Sequence, residues 1–89
     1  FGMLNNKKAF EFLSIIKKNI DTLYPIQIPD EKNAYTQKEI YEVAKKLNLE
    51  TKIINNIQSI NQLLINSSNK YVLVTGSLYL IGKVRKIYL

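Results

Sequence analysis

The chain has 89 residues, 46% of them hydrophobic, and it contains neither cysteine nor histidine. This length allows one small domain with a modest core, and the apolar content is too high for a disordered tail. The lack of cysteine excludes a disulfide framework and a thiolate metal site. No apolar run approaches the roughly 18 residues of a membrane-spanning helix, and the first residues lack the layout of a signal peptide, so we expect a cytoplasmic protein.

The net charge of +6 comes from lysine, because 12 of the 13 basic residues are lysine and only Arg85 is arginine. A basic surface can attract nucleic acid, but the planar guanidinium suits phosphates and base edges better than an ammonium does. The 13 isoleucines and 10 asparagines indicate the bias of an AT-rich genome instead. A small basic α/β module that binds RNA or DNA remains the alternative hypothesis.

Helical and extended patterns alternate from the start of the chain. Apolar residues at three- and four-residue spacing predict a helix over Lys7–Ile20. Thr22–Tyr24 is rich in β-formers, and Pro25 ends this strand because proline cannot donate to a ladder. The polar stretch Pro29–Tyr35 predicts a loop.

The second helix is predicted to begin with the capping box Thr36–Glu39, in which a hydroxyl and a carboxylate bind orphan backbone amides. Its buried face is a stripe of apolar residues, Ile40, Val43, Ala44 and Leu47. Asn48 tolerates left-handed geometry and predicts the end of this helix. Thr51–Ile54 then predicts a short strand.

The last third of the chain repeats the alternation. Ser59 is predicted to cap a helix that carries Ile60, Leu63 and Leu64. Tyr71–Thr75 is a β-branched run without polar alternation, which predicts a strand buried on both faces of a parallel sheet. A final helix follows it, and the strict alternation predicts an α/β fold with a mostly parallel sheet covered by helices.

The turn Thr75-Gly76-Ser77 is the candidate binding site, because ligands of open α/β sheets bind at the carboxyl ends of strands. A helix that begins at Ser77 offers free amides and the positive end of its dipole to a carboxylate or phosphate. Gly76 allows close backbone approach or a positive φ. The alternative is purely structural: Ser77 caps the helix and Gly76 makes a tight turn.

Around this turn the sequence resembles a known family. Val74–Arg85 closely resembles the terminal signature of folylpolyglutamate/dihydrofolate synthases, a branch of the Mur ligase superfamily. Phe1–Leu4, with Lys7 beyond it, resembles the Gly-Met-Leu segment of that family, which ends a strand and leads into a helix. Tyr24–Ile26, with Pro29 after it, resembles the next strand and its proline-containing loop. The similarity runs the whole length in the family's order and at about its spacing.

The resemblance implies that residues 1–89 form a partial C-terminal domain of a folate glutamate ligase, with a Rossmann-like three-layer sandwich. Such enzymes use ATP to phosphorylate a folate or pteroate carboxylate, and L-glutamate attacks the acyl phosphate. The implied role of this chain is to hold glutamate, with Ser77 bonding its carboxylate and Gly76 and Thr75 completing the glutamate-binding turn. Leu78, Tyr79 and Leu80 are expected to pack, and Gly82 to bring the last helix close to the sheet.

The chain also departs from the family. Lys8 stands where members commonly have Asp, and Lys83 stands where they often have Glu. The Gly-Lys-Ser/Thr loop of the ATP site is missing, as are the family's histidine-containing stretch and the first strand–helix unit. We therefore expect no catalytic residue, metal ligand or bound cofactor in this chain, with ATP and Mg²⁺ used by the parent enzyme together with the missing central domain.

Three hypotheses follow: a ligase fragment, a nucleic-acid-binding module, and an inactive remnant that still folds. An independent enzyme is not expected, since without His or Cys no nucleophile can be paired with a neighbouring base. A dinucleotide site is excluded because the sequence lacks Gly-x-Gly-x-x-Gly. A sheet without its first strand exposes an unpaired edge, so we expect possible self-association there.

Overall fold

The first helix, α1, spans Ala9–Ile16 and continues as a 3-10 turn over Lys17–Asn19. Its buried face contains Ala9 and Leu13, which is fully shielded from solvent. The helix predicted over Lys7–Ile20 is thus confirmed, with ends a few residues further in. The computed structural model describes residues 1–56, 59–60 and 72–88.

A βαβ unit follows. Strand β1 (Thr22–Leu23) pairs in parallel with β2 (Glu50–Thr51), and helix α2 (Gln37–Lys46) connects them. The β1 ladder is short, because Pro25 has no N–H to donate. Parallel pairing requires a crossover of this kind, since a tight hairpin can join only antiparallel strands.

Helix α2 has the ends that the sequence predicts. Thr36 Oγ1 accepts from the Glu39 amide at 3.1 Å, and a Glu39 carboxylate oxygen accepts from the Thr36 amide at 2.8 Å, which completes the capping box. Past the last turn, Asn48 has a φ of 57° and turns the chain toward β2. Both ends of α2 are therefore encoded locally.

Helix α3 spans Leu78–Tyr88 and begins directly after the Gly76-Ser77 turn. Within the described residues the chain thus forms a small compact α/β fold with three α-helices and a two-stranded parallel sheet. In those same ranges no helix has both the length and the apolar character needed to cross a bilayer.

Two hydrophobic clusters form the interior. The first lies among α1, α2 and the sheet: Phe1, Met3, Ala9, Leu13, Leu23, Ile40, Ala44, Leu47 and Leu49. The second lies under α3: Ile26, Ile28, Ala34, Ile60, Leu80 and Val84. Segment 1–3 contributes Phe1 and Met3 to the first cluster, and segment 24–28 contributes Ile26 and Ile28 to the second. The hydrogen bond from the Ile26 amide to the Phe1 carbonyl joins the two segments.

The structure does not confirm the regular strand predicted over Tyr71–Thr75. Residues 72–75 form no regular strand, and Tyr71 lies outside the described residues. Burial on both faces is wrong, because Leu73 is 69% exposed and Val72 is 38% exposed. The hydrogen bonding explains this, since a single ladder-type bond, from the Gly2 amide to the Thr75 carbonyl at 3.4 Å, joins 72–75 to a described neighbour.

Two smaller expectations also change. The Ser59 amide and hydroxyl both donate to the Asn56 side-chain oxygen, at 3.1 and 3.2 Å, so Asn56 caps this turn. Ser59 was the expected cap, and the helical positions Leu63 and Leu64 lie outside the described residues. Gly82 has no atom within 4 Å of where a side chain would begin, so it does not bring α3 close to the sheet.

Candidate functional site

The turn before α3 depends on a glycine. Gly76 has a φ of 110°, and a Cβ atom there would lie 2.2 Å from the Gly2 carbonyl oxygen and 2.8 Å from the Phe1 ring. Real Cβ atoms do not approach other atoms this closely, and L-residues rarely adopt this φ. Both conformational roles predicted for Gly76, positive φ and close backbone approach, are confirmed.

Ser77 caps α3. Its hydroxyl oxygen accepts a hydrogen bond from the Tyr79 amide at 3.1 Å, and its carbonyl accepts from the Ile81 amide at 3.0 Å. A hydroxyl that accepts through a lone pair keeps its own proton to donate. The capping role of Ser77 therefore leaves one donor available at the start of the helix.

The start of α3 carries no acidic residue in its first turn, whereas its last turn carries Arg85 and Lys86. The amides and dipole at its N-terminus therefore lack an intrahelical carboxylate partner. Lys83, one turn further, forms an ion pair with Asp30 at 3.2 Å. The dipole at the start of α3 therefore favours a negative charge near the turn over a positive one.

Beneath the turn lies the extended segment Phe1–Met3. The Phe1 nitrogen donates to the Tyr24 carbonyl at 2.8 Å, and the Ile26 amide donates back to the Phe1 carbonyl at 2.8 Å. On its other side, the Gly2 amide donates to the Thr75 carbonyl. This pattern places Thr75 directly beside segment 1–3 and so fixes the position of the turn relative to that segment.

The amine of Phe1 is itself unusual. Its ring stacks on Phe12 with centroids 5.6 Å apart, and the nitrogen lies in the interior beside Tyr24. Burial disfavours the charged form and lowers the pKa of the Phe1 amine from 8.0 to about 6. The neutral amine is therefore the form that this position accommodates best.

The loop after segment 24–28 folds back over the same end of the molecule. Leu4 and Ala34 form an isolated antiparallel bridge, and the Tyr35 amide donates to the Met3 carbonyl at 2.9 Å. The Tyr35 hydroxyl also donates to the Lys7 carbonyl. An open depression runs along residues 27–32, and none of the three predicted site residues lines it.

Gln37, which sequence reasoning missed, connects the two strands where they end. Its side-chain nitrogen donates to the Pro25 carbonyl at 2.9 Å and to the Ile54 carbonyl at 2.8 Å. Both contacts are distant along the chain, so no local pattern could have indicated them. The amide ties the first turn of α2 to the carboxyl ends of both extended segments.

Thr75, Gly76 and Ser77 thus stand together at one turn, with a bonded carbonyl, a left-handed glycine and a capping hydroxyl. Of the residues expected to pack, Leu80 is fully buried, whereas Tyr79 is 59% exposed, so the prediction for Tyr79 is wrong. The side chain of Leu78 lies outside the described part of the chain. Lys8 lies directly before α1, provides no cap and lies 4.0 Å from Glu11.

The turn carries hydrogen-bond donors of the kind that an anion accepts from, namely the Ser77 hydroxyl and the first amides of α3. In the part of the chain that the structure describes, no three metal-ligating side chains come together. The hydrogen-bond donors at the turn can hold and orient a carboxylate, which is a positioning role.

Comparison with family models, with curated proteins and with solved structures finds no match to this chain.

Proposed function

We propose that this chain is the C-terminal part of an ATP-dependent ligase that joins L-glutamate to a folate or pteroate carboxylate, and that it helps to hold the incoming glutamate. The observation that carries the proposal is Ser77, a capping hydroxyl at a helix start without an acidic neighbour, reached through the left-handed Gly76. The cytoplasm, where such a ligase would work, is the proposed location.

The backbone hydrogen bonds support the Rossmann-like arrangement that the resemblance implies. They connect four extended segments in the spatial order 50–52, 22–26, 1–3 and 75, through Lys52 to Leu23, Ile26 to Phe1, and Gly2 to Thr75. Numbered along the chain, this order is 3-2-1-4. A doubly wound sheet with this order changes direction between its first and fourth strands, and ligands bind in the crevice there.

In the proposed sheet, Ser77 would stand at that crevice, because it follows Thr75 with only Gly76 between them. A glutamate carboxylate at the start of α3 would accept the Ser77 O–H, while Ser77 Oγ continues to accept from the Tyr79 amide. The helix amides and dipole would add a further attraction, each of modest size in a solvated site. Ser77 would thereby orient glutamate and leave its amino group free to react elsewhere in the enzyme.

The chemical step belongs to other polypeptide in this proposal. The sequence has three glycines, no histidine and no Gly-Lys-Ser/Thr loop, so the groups that hold ATP and Mg²⁺ would come from the missing central domain. We expect this chain alone to be inactive and to bind glutamate weakly, because it supplies only part of the pocket.

Titration of the ¹⁵N-labelled chain with L-glutamate, followed by NMR, tests the proposal. We expect the amide signals of Gly76, Ser77 and Tyr79 to shift with a dissociation constant on the order of millimolar or weaker, close to −4 kcal/mol at 1 mM. Succinate, which has carboxylates but no amino group, serves as a control for generic anion binding. Shifts confined to other regions would contradict the assignment.

Two variants separate glutamate binding from helix capping at residue 77. Ser77→Asp keeps a good cap but puts a negative charge where the carboxylate would bind, so it should fold and lose the shift. Ser77→Thr keeps both hydroxyl functions and should retain the shift. An unchanged response in Ser77→Asp would overturn the proposed role of Ser77.

The nucleic-acid alternative rests on the net charge of +6. A random oligonucleotide should bind at low salt, with an affinity that falls steeply as salt rises, if that surface were functional. We expect no such binding. Tight salt-dependent association would favour the basic-module hypothesis over the ligase proposal.

A further inference from the structure

The parallel ladder between β1 and β2 ends beside a proline. The Lys52 amide donates to the Leu23 carbonyl at 3.0 Å, which is the last backbone bond between these strands in the described part of the chain. Because successive residues of a strand face opposite sides, the next residue to face β2 is Pro25. Proline has no N–H, so Pro25 cannot donate the bond that would continue the ladder.

The Gln37 side chain lies where that ladder stops. Its Nε2 atom donates to the Pro25 carbonyl at 2.9 Å and to the Ile54 carbonyl at 2.8 Å, so each N–H of the amide has its own acceptor. An oxygen atom in that place would face two carbonyl oxygens, which also only accept hydrogen bonds. The position therefore requires a side chain with two donors.

The Gln37 amide is fixed from the helix side as well. Gln37 is the first residue of α2 and directly follows Thr36, whose hydroxyl and amide form the capping box with Glu39. The side chain of Gln37 is half-buried as it reaches the two strand ends. The capped first turn of α2 thus anchors the amide, and the amide holds the strand ends.

We infer that Gln37 is a latch, a conformational device that takes the place of the missing ladder bond and fastens Pro25 and Ile54 to the first turn of α2. While both bonds are made, the segments that leave β1 and β2 move together with α2. When they break, segment 52–54 can separate from Pro25 without unfolding α2. In open α/β proteins the loops at this edge contact the ligand, so the latch would hold such a loop in one position. This inference does not depend on glutamate binding.

Hydrogen exchange of the Lys52 amide tests the latch, because that amide makes the ladder bond next to it. Gln37→Leu removes both donors and keeps a side chain of similar size. We expect the Lys52 amide to exchange about tenfold faster relative to the Leu47 amide, which is bonded at the other end of α2. Equal acceleration of both amides would assign Gln37 to global stability alone and overturn the inference, as would an unchanged Lys52 rate.

Gln27→Leu is the matched control for that variant. Gln27 is the same residue type, lies two positions after Pro25 and is exposed. Its replacement should leave the ratio of Lys52 to Leu47 exchange as it is in the unmodified protein. A rise in that ratio as large as the rise in Gln37→Leu would show that the effect is not specific to the latch.

Gln37→Glu gives a second test that preserves the shape of the side chain. Its protonated carboxyl group has one donor, whereas its ionised form has none and would face both carbonyl oxygens. The Lys52 to Leu47 ratio, compared with the unmodified protein at each pH, should therefore rise as the pH increases above about 4.3, the ordinary pKa of glutamic acid. A ratio that does not change with pH would show that the strand ends need no donor from residue 37.

Discussion

Helices α2 and α3 begin in different ways. At α2 the Thr36 hydroxyl and the Glu39 carboxylate satisfy each other's backbone amides, so the start is closed and carries a negative charge. At α3 the Ser77 hydroxyl accepts one amide, and no acidic residue stands in the first turn. The difference shows that α2 satisfies its first amides with its own side chains, whereas the start of α3 keeps the Ser77 O–H available to donate.

The largest effect is expected at Gly76, on which the start of α3 depends. Gly76→Ala should destabilise the fold by about 3 kcal/mol or more, because the new Cβ would overlap the Gly2 carbonyl and φ is positive. Urea unfolding followed by circular dichroism measures the loss.

Gly82→Ala is the control for that variant, because Gly82 lies within α3 and has nothing within 4 Å of the Cβ position. It should stabilise the protein by about 0.5–1 kcal/mol. Equal stability of the two variants would mean that the turn before α3 is not constrained.

When the polypeptide is prepared with Phe1 as its first residue, the buried Phe1 amine should make the stability of the fold depend on pH. The pKa of the Phe1 amine is about 6 in the fold and 8.0 ordinarily, so between these values the unfolded chain binds more protons. Stability should therefore rise from pH 6 to pH 8, by on the order of 2–3 kcal/mol. This contribution to stability is fully present above pH 8, the pKa of the amine in the unfolded chain, and it is lost as the pH falls through about 6, the pKa in the fold.

Chemical unfolding across that pH range tests the expected rise, and the N-acetylated chain provides the reference because it has no amine to titrate. Its stability should lack this dependence. A similar slope in both forms would assign the effect to another group.

The caps of α2 and α3 should contribute differently to the free energy of unfolding. Thr36→Ala should cost about 1–2 kcal/mol, and Ser77→Ala about 1 kcal/mol or less, because only the Thr36 cap belongs to a reciprocal pair. Thermal unfolding measures both, and only Ser77→Ala should also affect the glutamate titration. Loss of glutamate shifts in Thr36→Ala would indicate an indirect effect of folding.

The smallest effect is expected from the ion pair between Lys83 of α3 and Asp30. Lys83→Met should change stability by about 0.5 kcal/mol or less, because both side chains are substantially exposed. Adding salt should reduce even this difference. A loss several times larger would show that the pair, rather than the Gly76 turn, positions the start of α3.

The sequence predicted what short-range chemistry determines. The capping box, the left-handed Asn48 and the glycine turn at Gly76 all depend on neighbouring residues, and the structure confirms them. The alternation of elements likewise predicts the parallel pairing of β1 with β2.

What the sequence could not predict depends on distant neighbours. The hydrophobic run before Gly76 indicates burial, but the exposure of Leu73 depends on which segments lie beside it. Gln37 gives no local signal of its contacts with residues 12 and 17 positions away in the chain. For the same reason, whether Ser77 binds glutamate remains a prediction for titration to test.

The double contact of Gln37 has a consequence for motion. One side-chain amide holds the Pro25 and Ile54 carbonyls at once, so α2 cannot slide along its axis without breaking both bonds. Helix α3 has no equivalent clamp among the described residues. We therefore expect α3 to shift more readily than α2 does.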